Sequence, residues 1–319
     1  MSRDTIVVTG AAGFIGSHVC EKLAALGSRV IGVDNFDPFY GADLKRANIA
    51  ALREPGFTLR EVDICDLRAM RELFVREKPR GVIHLAAKAG VRPSIADPAG
   101  YAHTNVTGTS VVLAAATEAG CARVVVASSS SVYGNGARVP FSEELDVGEP
   151  ISPYAATKRA CELGAYTHWH LTKMPTACLR FFTVYGPRQR PDLAIHSFLG
   201  RISRDETLTV FGDGSTSRDY TYIDDIVAGV LAAYERIDAH GYRVWNLGGR
   251  QPVRLDEMIG VIGRVVGRSP KVRHGPMQPG DVVRTWADLT RSKAELSYEP
   301  HTGFEEGVRR QWEWMRSRG

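Results

Sequence analysis

Two hydrophobic rhythms alternate along the first half of the chain. Short, nearly continuous β-branched runs occupy Thr5–Thr9, Arg29–Asp34, Thr58–Val62, Gly81–Leu85 and Arg123–Ala127. Runs of this kind predict strands covered on both faces. Between them, Phe14–Leu26, Leu67–Arg76 and Tyr101–Ala119 carry the spacing of helices. Ser152-Pro153 opens a further helix, a capping serine followed by the proline favoured at the first helical position. Thr176–Phe181 reads as a sixth strand. Regular strand–helix alternation predicts an α/β fold built on a doubly wound parallel sheet with right-handed crossovers.

After about residue 185 the rhythm breaks. Gly186–Asp192 reads as a loop, Phe211–Ser217 is rich in turn residues, and Arg268–Asp281 is punctuated by proline and glycine. Helices are expected at Asp224–Ile237, Leu255–Val266 and Phe304–Met315, the last docked through Trp312 and Trp314. The expected organisation is a Rossmann-like dinucleotide-binding unit over residues 1–185. A smaller C-terminal α/β substrate lobe follows over 186–319, with an interleaved boundary.

Composition narrows the function classes. Hydrophobic residues at 44% and charged residues at 24% exclude wholesale disorder. A net charge of +4, without basic clusters, suits small anionic substrates and argues against a nucleic-acid partner. No apolar run approaches the ~18–20 residues of a membrane span. A strand follows the first residues at once, so no secretory segment is expected. The five cysteines include no CxxC pair, which points to reduced thiols and a cytoplasmic location. His84 is expected to pack at a strand end and His168 and His170 to lie on an exposed turn, with no metal site.

The candidate chemistry begins at the first strand–helix turn. Gly10, Gly13 and Gly16 are spaced GxxGxxG. Glycines here allow a tight turn, close approach of a pyrophosphate, and close packing of helix on sheet. The bland alternative is a structural turn. Asp34 ends the second strand, where a carboxylate accepts hydrogen bonds from ribose hydroxyls and repels a 2′-phosphate, favouring NAD. Otherwise it caps its loop with Asn35. Tyr154 and Lys158 stand at i, i+4 and share a helical face. A free phenol titrates near ~10, so a lysine ammonium and an oxidised nicotinamide would be needed to make it a base. Ser128 to Ser131 follow the fifth strand, at the sheet edge where open α/β folds place their sites.

With these residues in place, the chain resembles the extended short-chain dehydrogenase/reductases, in particular the NAD-dependent nucleotide-sugar epimerase/dehydratase family. The resemblance rests on Gly10–Gly16, Asp34, Asp63-Ile64, His84-Leu-Ala-Ala87, Asn105, the serine run, Tyr154/Lys158, Tyr185-Gly-Pro187, Phe211-Gly, Arg218-Asp-Tyr and Pro279-Gly-Asp281. It implies Ser129, Tyr154 and Lys158 as the catalytic trio. It implies NAD contacts at Gly10, Gly13, Phe14, Ile15, Gly16, Asp34, Asn35, Asp63, Ile64, Leu85, Ala86, Ala87, Asn105, Tyr154, Lys158 and Phe181. For a UDP-sugar it implies Ser130, Ser131 and Thr183 near the sugar and Phe211 on the base. It further places Arg218 on the pyrophosphate and Gln278 and Asp281 near the ribose. A homodimer is also implied. Some relatives carry a lysine where Ala89 stands, so its neighbour Lys88 is left outside the expected site.

Within the family, the dehydratases carry Thr-Asp-Glu where this chain has Ser129-Ser-Ser131. Eliminating water needs a carboxyl acid and a carboxylate base, which serines do not supply. The absence points to an isomerase that oxidises C4, turns the 4-keto sugar and reduces its other face. Phe181–Ala194, Asp34–Tyr40 and Ala89–Ser94 resemble the bacterial UDP-glucuronate 4-epimerases, with Arg190 meeting the uronate carboxylate. If Arg190 instead holds a diphosphate or an acidic neighbour, a UDP-glucose/UDP-galactose 4-epimerase stays open. An oxidoreductase or lyase acting on a nucleotide sugar, or a non-catalytic NAD sensor, are the remaining classes.

Overall fold

The first strand, β1 (Thr5–Thr9), shows why the chain layers as it does. Ile6 and Val8 join one buried cluster and Val7 the other, so successive side chains feed cores on opposite faces of a sheet. A computed structural model describes residues 4–52, 54–135, 138–276 and 283–318. Its remaining strands are β2 (Arg29–Asp34), β3 (Phe57–Glu61), β4 (Gly81–His84), β5 (Arg123–Ser129), β6 (Thr176–Phe181), β7 (Thr183–Tyr185), β8 (Leu208–Phe211), β9 (Ser217–Tyr222), β10 (Tyr242–Leu247), β11 (Pro252–Arg254) and β12 (Val272–Gly275).

Seven of these strands form one parallel sheet in the order β10-β6-β5-β4-β1-β2-β3. Helices Phe14–Ala25 and Ile223–Arg236 cover one face. Helices Leu67–Glu77, Gly108–Glu118 and Pro153–Thr172 cover the other. Strand order reverses around β1, between β2 and β4, and an open α/β sheet places its ligand crevice at such a point. All six expected strands are present with small shifts at their ends.

Two departures from the sequence pattern bear on the main sheet and the cleft wall. The short run Tyr242–Leu247, without a strand expectation of its own, pairs with β6 as the seventh strand. The helix expected over Tyr101–Ala119 is broken. Pro98–Ala102 and Gly108–Glu118 flank a single π-helical turn at His103–Thr107 that carries Asn105. The other strands form two smaller sheets, β11-β9-β7 and β12-β8. The last helix, Phe304–Arg316, packs as expected: Trp312 lies against the main core and Trp314 is edge-on to His196, 6.4 Å between centroids.

Candidate active site

The carboxyl ends of β1, β2, β4, β5 and β6 open into a cleft of about 480 Å³. Glycines shape its floor. Gly10 has φ +70, and a Cβ there would fall 2.7 Å from the Ala86 amide nitrogen. At Gly16 it would fall 2.0 Å from the Gly10 carbonyl oxygen, so the helix can start this close to the sheet only without a side chain. Phe14, Ile15, Ile64, Leu85, Ala86, Ala87 and Phe181 add mostly apolar lining. This glycine cradle, with a carboxylate at the end of β2, fits a dinucleotide.

That carboxylate is already engaged. Asp34 is buried; its Oδ2 accepts from the Ala12 amide at 3.0 Å, and its Oδ1 from the Phe36 amide at 2.8 Å and Lys45 Nζ at 3.2 Å. Lys45 was not foreseen from sequence, because its helix, Ala42–Ala50, is short and mixed in polarity. Asn35 lines the cleft, and its Nδ2 donates to Asp63 Oδ2 at 3.0 Å. Asp63 is therefore one residue removed from the lining.

At the other end of the cleft stand the serines, Tyr154 and Lys158. Ser129 closes β5, and its Oγ accepts from the Ser131 amide and lies 3.1 Å from Ser131 Oγ. Ser130 and Ser131 also face the cleft. Tyr154 and Lys158 lie one turn apart on Pro153–Thr172 and both line it. Lys158 is buried and its Nζ donates to the Ala127 carbonyl at 2.8 Å, which binds the helix to the end of β5. Four residues further, Glu162 accepts from Ser128 Oγ at 2.6 Å. The helix thus grips β5 at two consecutive residues.

His84 packs at its strand end as expected. Its Nδ1 lies 2.7 Å from Thr9 Oγ1 and its Nε2 3.0 Å from Thr109 Oγ1. Burial, with the nearby Lys158 charge adding to it, pulls its pKa down to about 3, so the imidazole is neutral.

Other expected site residues lie apart from the cleft. The Asn105 amide is taken up by Lys88, whose amide donates to Oδ1 at 2.8 Å and whose carbonyl accepts from Nδ2 at 3.0 Å. Nδ2 also donates to Thr157 Oγ1 at 3.0 Å. Asn105 therefore braces the wall, and Lys88, outside the expected site, lines the cleft. Phe211 ends β8, with the Arg92 guanidinium 5.5 Å over its ring. Arg218 lies on β9, where Nη1 donates to the Ser217 carbonyl at 3.0 Å. Gln278 and Asp281 fall outside the described residues.

Thr183 and Arg190 do line the cleft. Arg190 is largely buried over the Phe39 and Tyr40 rings, at 5.2 and 5.6 Å. Its guanidinium fork holds Asp192, Nε to Oδ1 at 3.0 Å and Nη2 to Oδ2 at 2.6 Å, while Nη1 donates to the Ala89 carbonyl at 3.3 Å. The acidic neighbour left open for Arg190 is Asp192, whereas Phe39 and Tyr40 were not foreseen as partners. A sequence shows where an arginine stands, not which carboxylate folds back onto it.

Known proteins resemble the chain over nearly its whole length. Residues 6–248 match the NAD dependent epimerase/dehydratase family. A UDP-glucuronate 4-epimerase from Thermodesulfobacterium geofontis is 40% identical over 312 residues, covering 97% of this chain and 95% of the relative. The structure of UDP-glucuronic acid 4-epimerase from Bacillus cereus, in complex with UDP-glucuronic acid and NAD, superposes with a TM-score of 0.92 at 34% identity, covering 99% of this chain and all of that one. A UDP-glucose 4-epimerase from Thermotoga maritima, with UDP-glucose, gives a TM-score of 0.90 at 33% identity, covering 98% and 99% of the two chains.

Proposed function

Because the chain belongs to the NAD-dependent epimerase/dehydratase family, we propose that it inverts C4 of a UDP-sugar through a 4-keto intermediate, converting UDP-glucuronate to UDP-galacturonate. The observation that carries this reading is the meeting of Tyr154, Lys158 and the Ser129–Ser131 hydroxyls with Arg190 on a single cleft. NAD would be held by the Gly10, Gly13 and Gly16 turn and Asp34 and would supply a reversible hydride acceptor for C4, so the reaction would show no net redox change.

The chain's own residues handle the proton and the sugar. Tyr154 takes the C4 hydroxyl proton and later gives it back, with Ser129 bridging to the sugar oxygen. Lys158, fixed by the Ala127 carbonyl, keeps a positive charge beside that phenol. Among the described lining residues the only carboxylates are Asp34 and Asp37, both at the β2 end. Among the described residues no carboxyl pair lines the cleft at the serines to eliminate water, which favours epimerisation over dehydration. Phe211 and Arg218, with Gln278 and Asp281, belong to the UDP-binding part of this proposal. So does the division into a dinucleotide unit, residues 1–185, and a nucleotide-sugar lobe, 186–319, from which β10 returns to the main sheet.

Arg190 is assigned to the uronate carboxylate, which it reaches by exchange with Asp192 or through its outer edge. The Asp192 pairing itself favours a second reading, a UDP-glucose/UDP-galactose 4-epimerase. Incubating the purified protein separately with UDP-glucuronate and UDP-glucose, and resolving the C4 epimers by NMR, separates the two. Epimerisation of UDP-glucose alone would overturn the uronate assignment. Arg190→Ala is expected to lower kcat/KM for UDP-glucuronate by roughly 10–100-fold, the worth of a hydrogen-bonded charge. An equal loss on UDP-glucose would remove the carboxylate role.

The same proposal includes a homodimer and a cytoplasmic location. Leu163, Tyr166 and Leu171 are 52%, 47% and 75% exposed on Pro153–Thr172, an apolar face suited to a second copy of the chain. All five cysteines are unpaired thiols, as a reducing compartment would keep them.

A further inference from the structure

The catalytic helix begins with an unusual division of labour. The first turn of a helix leaves main-chain N–H groups without intrahelical acceptors. In Pro153–Thr172 the first position is proline and has no N–H to satisfy. Ser152 Oγ accepts from the Ala155 amide at 3.1 Å, as a local cap does, and the Ser152 carbonyl accepts from the Ala156 amide at 2.9 Å. The remaining donor is the amide of Tyr154 itself. Its acceptor comes from elsewhere in the chain: Ser94 Oγ, 60 residues upstream, at 3.0 Å.

Ser94 is completely buried in the short helix Val91–Ala96. Its hydroxyl donates to the Val91 carbonyl at 2.6 Å, which fixes the rotor and leaves a lone pair for Tyr154. The same segment reaches the tyrosine a second way. The Ala89 carbonyl accepts from Tyr101 Oη at 3.2 Å, and the Tyr101 ring stands edge-on to the Tyr154 ring at 6.2 Å. The Ala89 carbonyl also accepts from Arg190 Nη1. The Ala89–Ser94 segment thus touches the arginine assigned to the sugar carboxylate through the Ala89 carbonyl and the tyrosine assigned to proton transfer through Ser94 Oγ.

We infer that Ser94 is a positioning residue for the epimerisation, setting the place of Tyr154 in the cleft by capping the Tyr154 amide from the Ala89–Ser94 segment. This rests on the proposed role of Tyr154. Ser94 does not need to touch the substrate. Its removal frees the start of the helix to shift, and a displacement of about 1 Å at a reacting group can cost on the order of 10²-fold in rate.

The test measures kcat, KM, bound NAD and Tm for wild type, Ser94→Ala, Ser94→Thr and Tyr154→Phe, with whichever of UDP-glucuronate and UDP-glucose the wild type epimerises. Ser94→Ala is expected to lower kcat by roughly 10–100-fold, with KM within about twofold and bound NAD and Tm unchanged. Ser94→Thr, which keeps the hydroxyl, is expected to recover most of kcat. A wild-type kcat in Ser94→Ala would overturn the inference. So would a loss that follows KM, NAD content or Tm, since that is the mark of a merely structural residue, or a Ser94→Thr variant no better than alanine. If Tyr154→Phe keeps its turnover, the proton-transfer reading fails first; if Tyr154→Phe is dead and Ser94→Ala is normal, only the positioning role fails.

Discussion

Tyr154→Phe is expected to keep its fold and its bound NAD while C4 epimerisation falls by at least about 10²-fold. The substitution removes one oxygen and little else. The ring still stands edge-on to Tyr101, the main-chain amide still donates to Ser94 Oγ, and the Tyr154 carbonyl still accepts from Thr157 Oγ1 at 2.8 Å. None of these contacts uses the phenol oxygen. What is lost is the oxygen proposed to take the C4 hydroxyl proton and hand it back. NMR of the sugar product reports turnover, and NAD released from acid-denatured protein reports cofactor retention. Unchanged epimerisation would show that the proton leaves by another route and would remove Tyr154 from the mechanism.

The largest effect on stability is expected at Glu162, two turns further along the same helix. Its carboxylate is fully buried and receives Arg180 Nε at 2.8 Å and Nη2 at 2.9 Å, Arg159 Nη1 at 3.0 Å, and Ser128 Oγ at 2.6 Å. Burial pushes the carboxyl pKa up, but the Arg180 hydrogen bonds and charge override it and hold it below the usual glutamate range. Glu162→Leu strands the buried Arg180 charge and is expected to cost about 3–5 kcal/mol, read from urea unfolding followed by circular dichroism. Removing Arg180 as well, in Glu162→Leu/Arg180→Met, is expected to recover much of that loss because only the partly exposed Arg159 then loses its partner and no fully buried charge is left unpaired. A single variant as stable as wild type would refute the account. The sign of the pH effect follows from the depressed folded pKa. The contribution is complete above the unfolded value near 4.5 and is lost as the pH falls through the lower folded value.

Particular residues show how much of this was legible beforehand. Gly10, Gly13 and Gly16 could be read because a tight turn and a close helix start restrict residue type locally. Tyr154 and Lys158 could be read because a helix places i and i+4 together wherever it lies. Asp34 was correctly placed at the end of β2, but the Lys45 ammonium against it was not anticipated. Asn105 was expected beside the dinucleotide, yet its amide braces Lys88 and Thr157 through a π-helical turn that helical periodicity does not reveal. Phe211 and Arg218 sit on short strands outside the main sheet and do not line the cleft.

The sequence by itself determined the strand–helix rhythm, the doubly wound sheet, the glycine turn and the tyrosine–lysine face. Each is set by interactions among residues a few positions apart, so the local pattern contains the cause. Only the tertiary structure decided that β10 completes the sheet, that Asp192 grips Arg190 within the cleft, that Arg180 neutralises Glu162, and that Ser94 caps Tyr154. Apart from the Arg190–Asp192 contact, these join segments distant in sequence. All four depend on which side chains packing brings within hydrogen-bonding or pairing distance, which no single stretch of sequence specifies.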